Sequence, residues 1–279
     1  MESRFINKKL FSLKKLFLII LVITIGIGII LVLSHRIVAV NGNLKMSNAK
    51  YCKIDGTEVT DKDLKNLKYM TKLQRLELLT PKITDISFVS EMKDLRSFSV
   101  ESQNITNLSS INNCQNLQTL NLYHTNLTSL KDLAENSNLR VLDVYTGNPL
   151  LNISDLHHLP KLEQLSISSS KLIDISPISE LSDLKILELS CCSIKDLSPL
   201  GDCVKIQKLN LTGCEQISDL SPITKLDTLE EINLSGTSIS DFSVLLSIKG
   251  LKKVVADNGQ IDPSILSKLK SQNVIVDIV

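Results

Sequence analysis

The chain has 279 residues, of which 43% are hydrophobic, and 31 lysines and arginines face 30 aspartates and glutamates. This near balance of charge argues against a dedicated nucleic-acid binder, which needs a basic face, and the hydrophobic content excludes a disordered chain. The six cysteines include no Cys-x-x-Cys pair, so they do not indicate a small disulfide-stapled scaffold or a zinc ribbon.

The chain begins with a basic tail followed by an apolar segment. Residues 1–15 carry five lysines and arginines, and the 18 residues from Leu16 to Leu33 carry no charge. As a helix they are about 27 Å long, close to the hydrocarbon thickness of a bilayer. Because basic residues favour the cytoplasmic side, we expect 1–15 to be a cytoplasmic tail, 16–34 a transmembrane signal anchor, and the repeats beyond it extracytoplasmic.

A cleaved signal peptide is the alternative for the same segment. Signal peptides have a shorter apolar region, of about 7–15 residues, that ends at small residues, and the sequence after Leu33 offers only a poor site near Ala39. Under this alternative the protein is secreted after cleavage. Either way the rest of the chain is exported, and residues 35–50 read as a short spacer.

The remainder repeats one motif at a nearly fixed period. The pattern L-x-x-L-x-L, with conservative variants, begins nine times at intervals of 22 or 23 residues. Such a period is the mark of a solenoid built from leucine-rich repeats. The sequence therefore predicts nine repeats over 73–261, with the motif starting at Leu73, Leu95, Leu117, Leu139, Leu162, Leu184, Ile206, Leu229 and Leu251.

Each repeat predicts a strand followed by a short turn. In the strand LKILEL, Leu187 and Leu189 should point inward and Glu188 outward, because strand side chains alternate. Successive strands should pair in parallel into a curved sheet. Aspartate then precedes Ser-Pro, as at Asp196, where a carboxylate can cap a turn and a serine hydroxyl before proline can cap a helix start. We expect one 3₁₀ turn per repeat on the convex side.

These motifs resemble the 22-residue leucine-rich repeats of bacterial internalin-like proteins. The resemblance covers about residues 60–261, and its most specific part is the DISPI and DLSPL stretches. It implies an α/β repeat solenoid, a horseshoe with a parallel concave β-sheet, here preceded by one transmembrane helix. It also implies a bacterial cell-surface protein that binds a macromolecule on its concave face. In this chain the asparagine expected eight residues after each start is replaced, by Cys192 and Cys214 in two repeats.

Both ends of the solenoid need caps, because a terminal repeat exposes its core. Residues 51–72 are predicted to be the N-terminal cap, in which Thr60 and Asp63 resemble a capping box with aspartate in place of glutamate. Residues 262–279 are predicted to be the C-terminal cap. There Asp262 and Pro263 begin a helix through about Lys270, and a last edge strand follows.

The sequence contains no metalloprotease, hydrolase, phosphate-loop or calcium-loop motif. His157 and His158 are the only paired metal-ligand candidates, and a structural zinc site needs about four ligands. Cys192 and Cys214 occupy the same slot of adjacent repeats, within disulfide reach, and we expect them to be buried free thiols. The sequence thus predicts no enzyme, no metal and no cofactor.

The predicted partner-binding site lies on the concave face. Positions two, four, six and seven after each start should point outward there, which places two of the four tyrosines on neighbouring strands. Tyrosines are enriched at binding hot spots, so we predict that this patch binds a protein or glycan ligand. The alternative is that the tyrosines only pack on each other. The predicted patch consists of Tyr123, Tyr145, His124, Asn121, Asp143, Val141 and Glu101.

Three functions fit the sequence at this stage. The first is a membrane-anchored, exported binding module of the surface receptor or adhesin kind. The second is a structural scaffold of the cell envelope. The third is a cytoplasmic regulatory-subunit-like repeat protein, which requires that the apolar segment does not export the chain. We predict neither a nucleic-acid partner nor a small-molecule substrate.

Overall fold

A computed structural model of the chain describes residues 37–40, 42–145 and 150–279. The predicted cytoplasmic tail (1–15) and transmembrane segment (16–34) lie outside the described residues. Within the described ranges, no helix has both the length and the apolar character needed to cross a membrane.

Eleven parallel strands form one sheet in which neighbours in sequence are neighbours in space, from β3 to β13. A separate two-stranded hairpin, β1 and β2, precedes it. Nine of the sheet strands, β4 to β12, belong to the nine predicted repeats, so the repeat solenoid is confirmed. The strands are β1 (Ile37–Val40), β2 (Asn43–Met46), β3 (Tyr51–Asp55), β4 (Arg75–Leu79), β5 (Ser97–Glu101), β6 (Thr119–Tyr123), β7 (Val141–Tyr145), β8 (Gln164–Ser168), β9 (Ile186–Ser190), β10 (Lys208–Asn210), β11 (Glu231–Asn233), β12 (Lys253–Ala256) and β13 (Ile275–Ile278).

The strands pair without a register shift, so equivalent repeat positions form rows across the sheet. Leu187 of β9 lies between Leu165 of β8 and Leu209 of β10. Leu187 and Leu189 are fully buried, whereas Glu188 between them is half-buried on the other side. The predicted alternation is therefore confirmed, and the solvent-facing side of the sheet, here called the concave face, carries the residues at alternate positions.

Short 3₁₀ turns form the second layer of the solenoid. The turn of each repeat stacks on that of the next, and each contributes at least one buried apolar side chain, such as Ile178 and Leu200. The predicted 3₁₀ turn is thus confirmed for the first eight repeats, whereas the ninth is followed by an α-helix. These eight turns span Ser87–Glu91, Ser109–Asn113, Lys131–Leu133, Ser154–His158, Ser176–Glu180, Ser198–Asp202, Ser221–Lys225 and Ser243–Ser247, and a further 3₁₀ turn, Lys65–Tyr69, lies in the N-terminal cap.

Aspartate carboxylates cap five of these turns, as the sequence predicted, but the serines do not. The backbone N–H of Ser198 donates to Asp196 Oδ1 at 2.8 Å, and that of Ser221 donates to Asp219 Oδ1 at 2.7 Å. The hydroxyls of both serines donate back to the same carboxylates. The serine expected to act as a cap is therefore the first residue of the turn and is itself capped. These backbone hydrogen bonds, reinforced by the hydroxyls, lower the pKa of Asp196 and Asp219.

The structure corrects the sequence-predicted spacer over 35–50, because two antiparallel strands, β1 and β2, occupy most of its described residues. β1 and β2 pair from Ile37 with Met46 to Val40 with Asn43. Val38 and Val40 are buried, and the amide of Asn66 donates to Ala39 O at 2.8 Å. Because the alternate apolar residues of β1 pack on the 3₁₀ turn Lys65–Tyr69, this segment packs against the predicted N-terminal cap over 51–72.

Two short α-helices lie at the ends of the solenoid. Helix α1 (Asp61–Leu64) begins with the predicted capping interaction, in which the Thr60 N–H donates to Asp63 Oδ2 at 2.9 Å. Helix α2 (Pro263–Ser271) begins at Asp262, whose carboxylate accepts from the Ser264 N–H at 2.8 Å. β13 then pairs with β12 and forms the edge of the sheet, as predicted.

We predict that Asp196→Ala lowers the melting temperature by about 2–4 °C at pH 7, because it removes the cap of one turn. The pKa of Asp196 is lowered by folding, so its stabilisation is present above the unfolded pKa and is lost as the pH falls through the folded value. The melting temperatures of variant and wild type should therefore converge below about pH 4. Asp202→Ala, an exposed carboxylate in the same turn, is the control, and equal effects of both substitutions would contradict the capping role.

Candidate partner-binding surface

Two tyrosines stack on the concave face. Tyr123 of β6 and Tyr145 of β7 are register partners, and their ring centroids lie 5.9 Å apart with an interplanar angle of 14°. Tyr145 is 36% exposed and Tyr123 is half-buried. The pair therefore presents aromatic surface to solvent and is held in one arrangement by its own contact.

A row of polar side chains runs beside the tyrosines, at the middle position of each strand. Gln164 Nε2 donates to Asp143 Oδ1 at 3.3 Å. With its amide nitrogen turned toward Asp143, Asn121 donates to Asp143 Oδ2 at 3.2 Å and accepts from Ser99 Oγ at 3.0 Å. The half-buried carboxylate of Asp143 is thus positioned from both neighbouring strands.

Glu188 of β9 completes the surface, although no motif in the sequence marks it as a site residue. The hydroxyl of Tyr145 donates to Glu188 Oε2 at 3.3 Å, and the Ser166 hydroxyl donates to the same oxygen at 3.2 Å. Glu188 lies 43 residues after Tyr145. Its only sequence signal is its position in the repeat, because Asp143, Ser166 and Glu188 are register partners on successive strands.

Burial and neighbouring negative charges raise the pKa values of Asp143 and the two tyrosines on this surface. Burial raises the pKa of Asp143, and the nearby charge of Glu188 raises it further, against the hydrogen bonds from Ser166 and Gln164. Burial also raises the pKa of Tyr123 and Tyr145, and the charge of Asp143 adds to both shifts. Both tyrosines are therefore neutral hydrogen-bonding groups at neutral pH.

The other predicted site residues lie around this pair. Glu101 of β5 is the register partner of Tyr123, and Val141 lies at the opposite end of β7, half-buried. His124 follows β6 in a left-handed conformation with φ of 50°, and its N–H donates to Tyr145 O at 2.7 Å. This backbone conformation turns the exposed imidazole toward solvent.

The expectation that position seven points outward is wrong for several repeats. Thr80, Ser102 and Ser169 occupy this position and are buried. The Ser102 hydroxyl donates to Ile83 O at 2.6 Å, and that of Ser169 donates to Leu150 O at 2.9 Å. The hydroxyls of Ser102 and Ser169 thus satisfy carbonyls of the preceding repeat, and these two residues turn inward, whereas His124 and Cys191 at the same position have a left-handed backbone and are exposed.

The cysteines and paired histidines show structural contacts. All six cysteines lie in the described part of the chain and are free thiols. Cys214 Sγ donates to Leu189 O at 2.9 Å and Cys192 Sγ lies 3.7 Å from Ile167 O, so both occupy the slot of the absent asparagine and bond the preceding repeat. His157 Nδ1 lies 2.7 Å from Ser154 O. No group of three or more metal-ligating side chains occurs among the described residues.

One parallel strand and one 3₁₀ turn for every 22 or 23 residues define a leucine-rich repeat protein. A family model described as "Leucine Rich repeats (2 copies)" matches residues 182–225. The structure is similar to that of internalin C2 from Listeria monocytogenes, with a TM-score of 0.62 and 27% identity over 68% of this chain and 84% of that one. The chain is thus a leucine-rich repeat protein that resembles the internalins. Leucine-rich repeat proteins are in general non-enzymatic modules that bind protein partners.

Two further internalins of Listeria monocytogenes share the fold. An internalin named inlF matches with a TM-score of 0.62 and 21% identity over 85% of each chain. The functional domain of InlJ, described as including a cysteine ladder, matches with a TM-score of 0.61 and 19% identity. That match covers 85% of this chain and 55% of InlJ, so this chain spans about half of that structure. No curated protein sequence matches the chain.

We predict that Asp143→Asn raises the free energy of unfolding at pH 7 by a few tenths of a kcal/mol. Folding raises the pKa of Asp143, so its ionised form opposes folding, and the opposition grows as the pH rises through the folded pKa. The gain should shrink below about pH 4, where wild-type Asp143 is protonated. Urea denaturation at several pH values measures this. A loss of stability at pH 7, with Asp202→Asn neutral, would contradict the electrostatic assignment.

Proposed function

We propose that this chain is a membrane-anchored, exported binding module that recognises a protein partner on its concave face, with Tyr123 and Tyr145 as the anchors. The observation that carries the proposal is the stacked pair itself, exposed on a rigid sheet. Aromatic side chains bury much area for little lost rotamer freedom, and they dominate binding hot spots.

The surroundings of the pair support a binding role. The Tyr145 hydroxyl is held by Glu188 and its ring by Tyr123, so little side-chain entropy is lost when a partner docks. At the repeat position of Tyr145, the following repeats carry the short polar residues Ser168, Ser190 and Thr212. These side chains can form the polar rim of an interface. The surface thus has the arrangement of an interface, an aromatic centre with polar edges.

The proposed membrane anchor and export rest on the sequence of residues 1–34. The basic tail and the uncharged segment after it support an N-terminus in the cytoplasm and repeats outside it. A surface location is consistent with the internalin-like fold. In this topology the concave face lies outside the membrane, where it is accessible to a protein partner.

We predict that a photo-crosslinking amino acid at position 145 captures a discrete protein partner in cells that naturally produce this protein. The same amino acid at position 69 is the control, since Tyr69 is also exposed but lies in a 3₁₀ turn. Adding Tyr123→Ala should reduce the adduct at position 145 about tenfold or more, as expected for loss of a hot-spot aromatic. Equal adducts at positions 69 and 145, or no effect of Tyr123→Ala in a folded protein, would contradict the concave-face anchor.

We predict that a tag placed after Val279 is removed by protease added to intact cells, and that the protein recovered from the membrane fraction has its full length. A shortened secreted chain would replace the anchor with a cleaved signal peptide. A tag protected until the cells are lysed would overturn export and make the cytoplasmic regulatory function the better proposal.

A further inference from the structure

The concave face has an uneven distribution of charge. On the five strands β5 to β9, the outward positions hold three carboxylates, Glu101, Asp143 and Glu188, and no lysine or arginine. Tyr123 and Tyr145 lie among these carboxylates. We call these five residues the acidic tyrosine patch.

The outer strands of the same face differ, because each outward carboxylate within them is paired with a cation, and Asp257, just after β12, accepts from the Gly236 N–H at 2.8 Å. The pairs are Lys53 with Asp55 at 3.4 Å, Arg75 with Glu77 at 2.5 Å, Lys208 with Glu231 at 3.0 Å and Lys253 with Asp277 at 2.7 Å. In the described part of the chain, Glu101, Asp143 and Glu188 take part in no ion pair. The basic side chains on the strands that flank the patch, Arg75 and Lys208, are already paired.

The unpaired carboxylates lie close to one another and to the aromatic rings. Ser166, on the strand between those of Asp143 and Glu188, donates to Glu188 Oε2 at 3.2 Å, and Glu188 also accepts from Tyr145. The mutual repulsion of Asp143 and Glu188 contributes to the raised pKa of Asp143. A cation placed here relieves that repulsion and also meets the ring faces, which attract cations through their quadrupole.

We propose that the partner is a protein whose docking segment presents a lysine or arginine side chain to the acidic tyrosine patch. The cationic group would lie against the Tyr145 ring and between Asp143 and Glu188. This inference rests on the proposed function and adds the chemistry of the partner to it. A neutral glycan does not compensate these charges, and an acidic segment is repelled by them.

The test uses a display library of random dodecapeptides, panned against the full-length chain in detergent and immobilised through a tag after Val279. Three variants are panned in parallel after their melting curves show that they are folded. Tyr123→Ala/Tyr145→Ala removes the anchors, and Asp143→Asn/Glu188→Gln removes two charges while keeping shape. Glu91→Gln/Glu180→Gln removes two exposed charges from 3₁₀ turns and is the matched control.

We expect peptides recovered on wild type and on the control variant to be enriched in lysine and arginine, and this enrichment to be lost on Asp143→Asn/Glu188→Gln. A recovered peptide resynthesised with citrulline for its arginine, or norleucine for its lysine, should bind about tenfold more weakly. Its affinity should also fall as salt is added.

Three results would overturn the inference, and they differ in what they leave standing. If the recovered peptides need the tyrosines for binding but are not enriched in lysine and arginine, the tyrosine anchor of the proposed function stands and the cationic partner is rejected. Basic peptides that bind all variants equally, the tyrosine double variant included, would reject both. Tyrosine-dependent binding of arrayed neutral glycans, without basic peptides, would also reject the cationic protein partner.

Discussion

The structure depends on the parallel stacking of buried leucines in one unbroken register. Leu165, Leu187 and Leu209 are register partners on successive strands, and each is almost fully buried. A single repeat cannot bury its apolar side alone, so each one is stable only against its neighbours. Stacking in this register fixes where every other residue of the repeat lies, including those on the concave face.

The outward positions are freed from packing by the same constraint. Because the inward leucines and the 3₁₀ turns supply the core, positions such as those of Asp143 and Tyr145 tolerate polar, charged or aromatic residues without loss of the fold. Register then brings residues that are far apart in sequence into rows, as with Tyr145 and Glu188. A binding surface can therefore form where neighbouring repeats place interacting residues in the same rows. In this chain the strands β5 to β9 carry the stacked tyrosines and the unpaired carboxylates.

The polar contacts between repeats replace the asparagine ladder that this chain lacks. Buried hydroxyls at Ser102 and Ser169 and thiols at Cys192 and Cys214 point toward carbonyls of the preceding repeat. Carbonyl groups buried without a partner are costly, so small donors in these slots maintain the solenoid. The carboxylate caps of the 3₁₀ turns, such as Asp196, do the same for backbone N–H groups on the other side.

The repeats, the strand directions, the carboxylate caps and the adjacency of Tyr123 and Tyr145 could be predicted from the sequence. They follow from a period of 22 or 23 residues and from the alternation of side chains in strands, which are local and regular. Three features could not be predicted: Val38 and Val40 pack against the N-terminal cap, Ser102 turns inward while His124 turns outward, and Glu188 joins the tyrosines. The physical reason is that a period fixes the spacing between repeats, whereas the backbone dihedral at one residue and the pairing of one charge depend on contacts between repeats.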